Sequence, residues 1–245
     1  MNNNIPKTIH YCWFGGNEKS DFIKQCMESW RKYLPEYKII EWNESSFDIN
    51  SNNFVKAAYD AKKWAFVSDY VRAYAIYNMG GVYLDTDVEI KQPIDEFLKH
   101  RAFTGFESKY TPFTAVFGAE KEHPWVKDMI NIYNNKEYLD SEGNFNATTN
   151  TLDVSKLMIE KYGATQNNKY QILKEDIHIY PNFYFCRPNK SEKVYAIHHF
   201  EGTWITGSKK STRDLVKKIL GRNLATKIMD IKSNIEFKIG LKKFK

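Results

Sequence analysis

The chain has 245 residues, 42% of them hydrophobic and 27% charged, so it can bury one substantial core and is not a disordered protein. No apolar stretch approaches the roughly 18 residues of a membrane-spanning helix, and the N-terminus lacks the basic and apolar regions of a signal peptide, so we expect neither. The three cysteines have no metal-ligand spacing, and their odd number suits a reducing cytoplasm. The net charge of +6 is unevenly distributed along the chain.

The first predicted elements follow a strand–helix–strand order. A β-rich apolar run over residues 7–14 ends in two glycines and predicts a buried strand with its turn. Residues 20–34 carry apolar side chains at helical spacing, with Ser20 as a candidate N-cap. Residues 37–43 form a second predicted strand. This short spacing predicts a βαβ unit and parallel pairing.

A long helical segment then leads into an unusual strand. Residues 53–79 place apolar side chains at intervals of three and four, and Gly80–Gly81 would end this helix. The run that follows, VYLDTDVEI, is predicted as one strand. Further strands are predicted at 102–107, 114–119, 176–180 and 194–199, and further helices at 124–134 and 153–162. The polar residues 134–150 form a loop long enough to be functional.

The last 38 residues differ from the rest. Residues 208–245 contain 12 Lys and Arg against 3 Asp and Glu, so we separate a domain at 1–207 from a basic helical extension at 208–245. One helical stripe of this extension is apolar: Val216, Ile219, Leu220, Leu224, Ile228, Ile231 and Ile235. Such a helix either lies on an anionic membrane or packs its stripe onto the domain, and both interpretations stay open. No nucleic-acid-binding signature accompanies the charge.

Two aspartates interrupt the apolar run at 82–90. In a strand, Asp85 and Asp87 would present both carboxylates on one side. Burying two like charges is costly, and a hard divalent cation, Mn²⁺ or Mg²⁺, would compensate it. Because these metals bind through one or two carboxylates plus substrate phosphates, the pair suggests a metal that holds a diphosphate.

Three other interpretations of this pattern are weaker. Apolar neighbours on both sides disfavour a solvated turn. A calcium loop would need further oxygen ligands and a glycine, which DTDVEIKQP lacks. A phosphatase of the haloacid dehalogenase type uses D-x-D-x-[T/V] near its N-terminus, whereas the fifth residue here is Glu89.

The preceding helix adds a second charged pair. Asp69 and Arg72 are three residues apart and therefore share one helix face. A structural ion pair is the simplest interpretation. The helix leads through two glycines into the acidic strand, however, so we expect this face at the same cleft.

Three segments of the chain resemble the D-x-D glycosyltransferases of family 32. They are IHYCWFGG, SDYVRAYAIYNMGGVYLDTD and AIHHFEGTW, in this order within residues 5–205. The same order is similar to the catalytic core of the large clostridial glucosylating toxins. The resemblance implies an α/β fold of the GT-A type, with a Rossmann-like mixed sheet flanked by helices in a single domain. It also implies a UDP-sugar donor, Mn²⁺ or Mg²⁺, and retention of anomeric configuration.

The resemblance also implies which residues bind the nucleotide. Trp13 would stack on the uracil, with Ile9, His10 and Tyr11 contacting the base through their backbone. Tyr83 would lie against the nucleotide.

Other residues are assigned to the sugar, the diphosphate and the metal. Asp69 and Arg72 would hydrogen-bond the donor sugar and its phosphate side. Asp85 would bind the ribose and a metal-bound water, and Asp87 would ligate the metal directly. Asp87, Asp69 and Arg72 are thus the expected catalytic residues.

In the last segment, His198 would be a further metal or diphosphate ligand and Trp204 would cap the diphosphate. Strand alternation lets only one of the adjacent His198 and His199 face the site, and His198 is favoured.

The expected function is transfer of a hexose or N-acetylhexosamine from a UDP-sugar to a glycan acceptor, in the synthesis of bacterial surface polysaccharide such as capsule or O-antigen. A lipid-linked acceptor at the inner leaflet would explain the basic extension, so we expect a cytoplasmic protein, peripheral at the membrane. A toxin-like effector that glycosylates a protein and a non-catalytic nucleotide-sugar-binding module remain alternatives.

Overall fold

The structure, a computed structural model, describes residues 4–134, 136–138, 148–189 and 193–201. Strands within these residues are β1 (Thr8–Cys12), β2 (Lys38–Trp42), β3 (Gly81–Leu84), β4 (Val88–Ile90), β5 (Ala102–Gly105), β6 (Val116–Ala119), β7 (Gln171–Leu173), β8 (Ile177–Tyr180) and β9 (Ala196–His198). Helices are α1 (Asp21–Tyr33), α2 (Asn53–Asp60), α3 (Trp64–Met79), α4 (Pro124–Asn131), α5 (Asn150–Glu160) and α6 (Asn182–Phe185). No helix of these ranges is long and apolar enough to cross a membrane.

Seven strands form one mixed sheet in the order β2–β1–β3–β6–β5–β8–β7, and β4 pairs with β9 separately. β1 is parallel to both β2 and β3, as the βαβ prediction required. β6 is antiparallel to β3 and to β5, and β5 is parallel to β8. The carboxyl ends of β1, β3, β5 and β8 therefore lie at one edge, where open α/β sheets bind their ligands. The predicted α/β fold with a mixed sheet flanked by helices is confirmed.

Apolar side chains cover both faces of this sheet. On one face, helices α2 to α5 contribute to a large core that includes Phe54, Val71, Trp125 and Val154. On the other face, α1 and the β4–β9 pair form a second core.

Helix α1 holds the chain directly after the two aspartates. Its N-cap is Ser20, as predicted, whose side chain accepts a hydrogen bond from Ile23 N. Trp30 is fully buried, and its Nε1 donates to the carbonyl of Val88 over 2.7 Å. Burial of such a side chain stabilises the fold by about 2–3 kcal/mol. α1 therefore fixes the position of β4.

Residues 53–79 are mostly helical, as predicted, but they form two helices and not one continuous element. α2 ends at Asp60 and α3 begins at Trp64, because Lys62 adopts a left-handed conformation with φ of 55°. The segment between them contains neither glycine nor proline, and the apolar period continues on both sides, so the sequence carries no signal for this break. Gly80 ends α3 as predicted, with φ of 66° and its N–H bonded to the carbonyl of Ile76.

The prediction that VYLDTDVEI is one strand is wrong. β3 ends at Leu84 and β4 begins at Val88, in different sheets, and Val88 N donates to Asp85 O over 3.0 Å across the turn between them. The two carboxylates thus lie in a turn at the sheet edge and not on one side of a strand. Even in this turn Asp85 is half-buried and Asp87 is buried, so both carboxylates need compensating partners.

The remaining predicted strands and helices are confirmed with shifts of a few residues, while β7 and α6 were not predicted. The chain divides into two compact units, Met1–His199 and Phe200–Lys245. The extension at 208–245 lies outside the described residues, and its boundary stays a prediction.

Candidate active site

The turn between β3 and β4 carries Asp85 and Asp87 at the edge where the parallel strands end. Asp85 N donates to the carbonyl of Ala115 over 3.1 Å, which continues the pairing of β3 beyond its last strand residue. The turn is therefore anchored on the sheet side through Asp85 and on the α1 side through β4.

Arg72 lies between two carboxylates. Its Nη2 is 3.1 Å from Asp69 Oδ1 and 3.2 Å from Asp85 Oδ1, so α3 and the turn meet at this guanidinium. Arg72 and Asp69 are only 8% and 7% exposed. Burial lowers the pKa of Arg72, but the neighbouring carboxylates of Asp85 and Asp69 raise it by more, so the guanidinium stays charged.

Asp69 is a buried carboxylate with a strongly perturbed pKa. Burial raises its pKa to about 7, Arg72 opposes the shift, and the negative charge of Asp85 adds to it. A carboxyl group that titrates near neutrality in a cleft is typical of a functional site.

His198 lies beside the aspartates, and its neighbour points elsewhere. His198 Nε2 is 3.4 Å from Asp87 Oδ1, whereas His199 Nε2 is 3.0 Å from Glu89 Oε2. Burial lowers the pKa of His198, but the charge and hydrogen bond of Asp87 raise it well above its usual value. The pairing of β4 with β9 brings His198 opposite Val88 and thus next to the turn.

The donor set of this cluster fits a divalent cation. Asp85, Asp87 and His198 each offer one ligand atom, and these atoms all lie within 4.8 Å of one another. Two carboxylates and an imidazole suit Mn²⁺, and Mg²⁺ would be held mainly through the carboxylates. The cluster has more negative than positive side chains, which an added cation would balance.

The ring of Tyr83 packs against the guanidinium of Arg72. This ring is 2% exposed, and the Arg72 guanidinium carbon lies 4.8 Å from its centroid. The ring therefore has little surface left for a nucleotide. Cys12 is buried against the same group, and burial raises the pKa of its thiol to about 12.

The predicted base-contacting residues of β1 lie inside the sheet. Ile9 and His10 pair with both β2 and β3, and their side chains are fully buried. His10 accepts a hydrogen bond from Trp42 Nε1 and its Nε2 lies 2.9 Å from the carbonyl of Gly80. Tyr11 lies beyond the registered pairing with β3, and its hydroxyl donates to Glu41.

Trp13 lies just past the end of β1 and lines an open cleft of about 420 Å³. Its indole Nε1 donates to the carbonyl of Asn17 over 2.7 Å, and Lys19 Nζ is 5.1 Å from its ring. A half-exposed ring held in this way offers a stacking surface. Trp204 lies outside the described residues.

Sequence reasoning missed two residues that act on Asp69, one in the segment after α4 and one in α5. The charges of Lys136 and Asp153 both act on Asp69. Lys136 pairs with Asp153 and donates to Thr148 Oγ1 over 3.0 Å. These contacts join positions far apart in the chain. The sequence alone therefore indicated only that the 134–150 loop is long enough to be functional.

Part of the chain is similar to known proteins. Residues 20–104 match the family described as "Glycosyltransferase sugar-binding region containing DXD motif". Inositol phosphoceramide mannosyltransferase 3 of Schizosaccharomyces pombe is 26% identical over 133 residues, which are 51% of this chain and 36% of that protein. Inositol phosphoceramide mannosyltransferase 2 of the same yeast is 27% identical over 134 residues, 51% of this chain and 37% of that one. The chain thus spans little more than a third of the length of these relatives.

Among solved structures, PaToxG glycosyltransferase is similar with a TM-score of 0.40 and 18% identity, over 52% of this chain and 58% of that one. A glycosyltransferase involved in the glycosylation of the major capsid of PBCV-1 is similar with a TM-score of 0.43 and 13% identity, over 86% of this chain and 100% of that one. The matched region at 20–104 contains the Asp69–Arg72 pair and both aspartates of the turn. Residues 20–104 are thus similar to the DXD-containing sugar-binding region of glycosyltransferases, in line with the sequence resemblance.

Proposed function

We propose that this protein transfers a sugar from a nucleotide-sugar donor to a glycan acceptor with retention of anomeric configuration. The observation that carries the proposal is the convergence of Asp85, Asp87 and His198, with ligand atoms within 4.8 Å of one another, beside an arginine that contacts Asp85. A diphosphate held next to this cluster would meet positive charge from Arg72. Such fixed charge stabilises a leaving group in the transition state.

Each residue has a distinct role in this proposal. Asp87 and His198 would hold the divalent cation, with Asp85 oriented between the cation and Arg72. When bound, the cation would offset the charge that develops on the departing diphosphate. Asp69, held by Arg72, would accept hydrogen bonds from hydroxyl groups of the donor sugar.

Retention is proposed to follow a front-face course. The acceptor hydroxyl attacks the anomeric carbon on the side from which the diphosphate leaves. The carbon–oxygen bond to the diphosphate breaks with its electron pair on the phosphate oxygen, which accepts the hydroxyl proton. Double displacement would instead need a carboxylate beneath the anomeric carbon. Trapping a covalent glycosyl-enzyme would contradict the front-face course.

The donor proposed first is a UDP-sugar carrying a hexose or N-acetylhexosamine, on the strength of the sequence resemblance and of Trp13 as a stacking surface. A second candidate is an activated mannose. The observation that favours it is the name of two relatives, which are inositol phosphoceramide mannosyltransferases.

The proposed setting is the synthesis of bacterial surface polysaccharide at the cytoplasmic face of the membrane. Support comes from the charge of residues 208–245, which would hold the protein at anionic lipids near a lipid-linked acceptor. A protein acceptor, as in a toxin-like effector, is an alternative that differs only in the group that attacks. A non-catalytic binding module is disfavoured because Asp69, Arg72, Asp85 and Asp87 are all present and in contact range.

The test is nucleotide release from a panel of UDP-sugars and GDP-mannose, with and without Mn²⁺. We expect metal-dependent release from one donor, and loss of that release in Asp87→Ala. Asp95→Ala is the control, because this aspartate pairs with Lys7 at the surface. Donor binding without release would support the binding module or a strict acceptor requirement, whereas no donor binding would contradict the proposal.

A further inference from the structure

A patch of tyrosine and phenylalanine rings lies outside the catalytic cluster, at the β8 end of the sheet. We call Tyr170, Tyr180, Phe183 and Tyr184 the aromatic patch. Tyr170 is 48% exposed, and the other three residues are half-buried. One exposed ring next to three half-buried rings on neighbouring segments marks a candidate binding surface.

The rings of the patch are arranged in a row. The Tyr170 and Tyr180 centroids are 5.1 Å apart, and those of Tyr180 and Tyr184 are 5.0 Å apart. Phe183 branches from Tyr184 at 5.0 Å. Beneath the row, the buried Tyr195 stacks on Tyr184 at 5.5 Å with an angle of 15° between planes.

Buried histidines hold the hydroxyl ends of two of these rings. Tyr170 Oη is 2.7 Å from His178 Nδ1, and Tyr180 Oη is 2.8 Å from His100 Nε2. The two imidazoles stack on each other with centroids 3.5 Å apart. The polar ends of Tyr170 and Tyr180 are thus engaged by these histidines. The surface on offer is the exposed ring of Tyr170 and the uncovered parts of the half-buried rings beside it.

Amide side chains border the patch. Asn168 and Asn182 form two hydrogen bonds with each other, one through the backbone N of Asn182, and so join the 165–170 segment to the start of α6. Gln166 Nε2 donates to the carbonyl of Tyr110 over 2.8 Å. Rigid aromatic faces next to amide donors and acceptors are suited to a ligand with both C–H faces and hydroxyl edges.

We propose that the aromatic patch binds sugar rings of the acceptor glycan. The negative face of an aromatic ring attracts the C–H bonds on one side of a pyranose, and the amides can pair with its hydroxyls. Tyrosines locked by hydrogen bonds lose little conformational entropy on binding. The inference rests on the proposed function, because it takes the glycan bound here to be the acceptor.

The position of the patch agrees with this role. Tyr180 ends β8, whose carboxyl end lies at the same sheet edge as that of β3, which Asp85 follows. Tyr195 N donates to the carbonyl of Tyr184, and β9 then runs from Ala196 to His198. A glycan seated on the patch would therefore be tethered on the acceptor side of the cleft, opposite the Trp13 side.

The experiment is binding of the full chain to an array of neutral and acidic oligosaccharides, without donor or metal, followed by titration of the strongest binder. We expect Tyr170→Ala and Tyr184→Ala each to weaken that binding by about 10-fold. Tyr170→Phe keeps the ring face and should bind within about 2-fold of the wild type, whereas Tyr170→Leu should bind as weakly as Tyr170→Ala. Thermal unfolding of each variant establishes that it is folded.

Ile172→Ala is the matched control, because this side chain is 60% exposed on the same face, two residues from Tyr170. It should leave glycan binding unchanged. The proposal is overturned if no oligosaccharide binds, if the tyrosine variants bind like the wild type, or if Tyr170→Leu and Tyr170→Phe bind equally, as a protein-docking surface would allow.

The same variants separate this inference from the proposed function. Asp87→Ala should abolish nucleotide release and leave oligosaccharide binding intact. If no donor turns over and the tyrosines still bind the glycan, the surface stands and the transferase proposal fails. If donors turn over and no glycan binds, the transferase proposal stands and the glycan-binding surface fails.

Discussion

At the scale of single residues, Arg72 joins the two halves of the candidate site. One guanidinium nitrogen contacts Asp69 on its own helix and Asp85 on the turn, and the ring of Tyr83 lies beneath it. A planar guanidinium can satisfy this geometry, while a lysine ammonium on a flexible stem cannot hold both carboxylates and stack on the ring. Charge alone is therefore not sufficient at position 72.

We expect Arg72→Lys to lower the kcat/KM of nucleotide release by roughly 100-fold, because it removes a positioned group that acts on the leaving diphosphate. Steady-state kinetics with the best donor measures this. Arg101→Lys is the control, since Arg101 also contacts two carboxylates, Glu120 and Glu175, at the surface. Wild-type activity in Arg72→Lys would show that charge is enough.

His10 makes the stability of the fold depend on pH. Burial lowers its pKa to about 4, while the hydrogen bond with the Gly80 carbonyl opposes this shift. Nδ1 accepts a hydrogen bond from Trp42 Nε1, which requires the neutral imidazole. The unfolded chain takes up this proton near pH 6.5, and the folded chain does not. Stability from this group is therefore present above pH 6.5 and is lost as the pH falls towards 4.

We expect the loss to reach about 3 kcal/mol for His10. Urea unfolding between pH 7.5 and pH 4.5 measures it. His10→Gln cannot titrate and should show a shallower dependence on pH than the wild type. Equal slopes for His10→Gln and the wild type would refute this role.

At the scale of elements, the site depends on the junction between α3 and β3. Gly80 and Gly81 have φ of 66° and 117°. A Cβ added at Gly81 would lie 2.6 Å from the carbonyl oxygen of Thr8, which is backbone and cannot move aside. Glycine here lets α3 end and β3 enter the sheet beside β1 within two residues, so that Asp69, Arg72 and Asp85 meet.

Gly81→Ala should therefore destabilise the protein by about 1–3 kcal/mol more than Gly163→Ala does. Gly163 also has a positive φ, of 86°, but a Cβ there would meet nothing within 4 Å, so it carries the conformational strain without the clash. Urea unfolding of the two variants gives the difference. Equal destabilisation would mean that the contact with Thr8 relaxes at no cost.

The same junction shows what the sequence could predict. Glycine after an apolar helix predicted the end of α3, and the Ser20 cap and apolar spacing predicted α1, because these signals are local. The turn at Asp85–Asp87 was predicted as strand, since Val88 and Ile90 continue the apolar run. β4 leaves the large sheet and pairs with β9, which lies more than 100 residues further along the chain. No local sequence pattern indicates this pairing.

At the scale of the whole molecule, parallel strands bring distant segments to one edge. Trp13 follows β1, Asp85 follows β3 and Tyr180 ends β8, and these strands point the same way. The sequence predicted the βαβ opening and the carboxylate pair of Asp85 and Asp87. Through resemblance, it also indicated His198 as a residue of the same site. It could not predict the order of the later strands or the aromatic patch, because both depend on non-local pairing.

We expect the basic extension at 208–245 to hold the whole protein at anionic membranes. Reversing two of its charges in Lys217→Glu/Lys218→Glu should weaken binding to anionic phospholipid vesicles by roughly 10-fold or more, because each lysine near such a surface contributes about 1 kcal/mol. Co-sedimentation with anionic and with neutral vesicles measures this. Lys62→Glu/Lys63→Glu, between α2 and α3, is the control. Unchanged vesicle binding would favour a stripe packed on the domain.

The most direct test of the account is Mn²⁺ binding in the presence of UDP, followed by electron paramagnetic resonance. We expect the wild type to bind one ion. Asp87→Asn and His198→Gln should each lower the Mn²⁺ affinity by more than the 10- to 100-fold that changes around a metal's ligands typically cause. His199→Gln, whose imidazole contacts Glu89, should bind as the wild type does. Unaltered Mn²⁺ affinity in Asp87→Asn would contradict the central claim that this turn and His198 hold the cation.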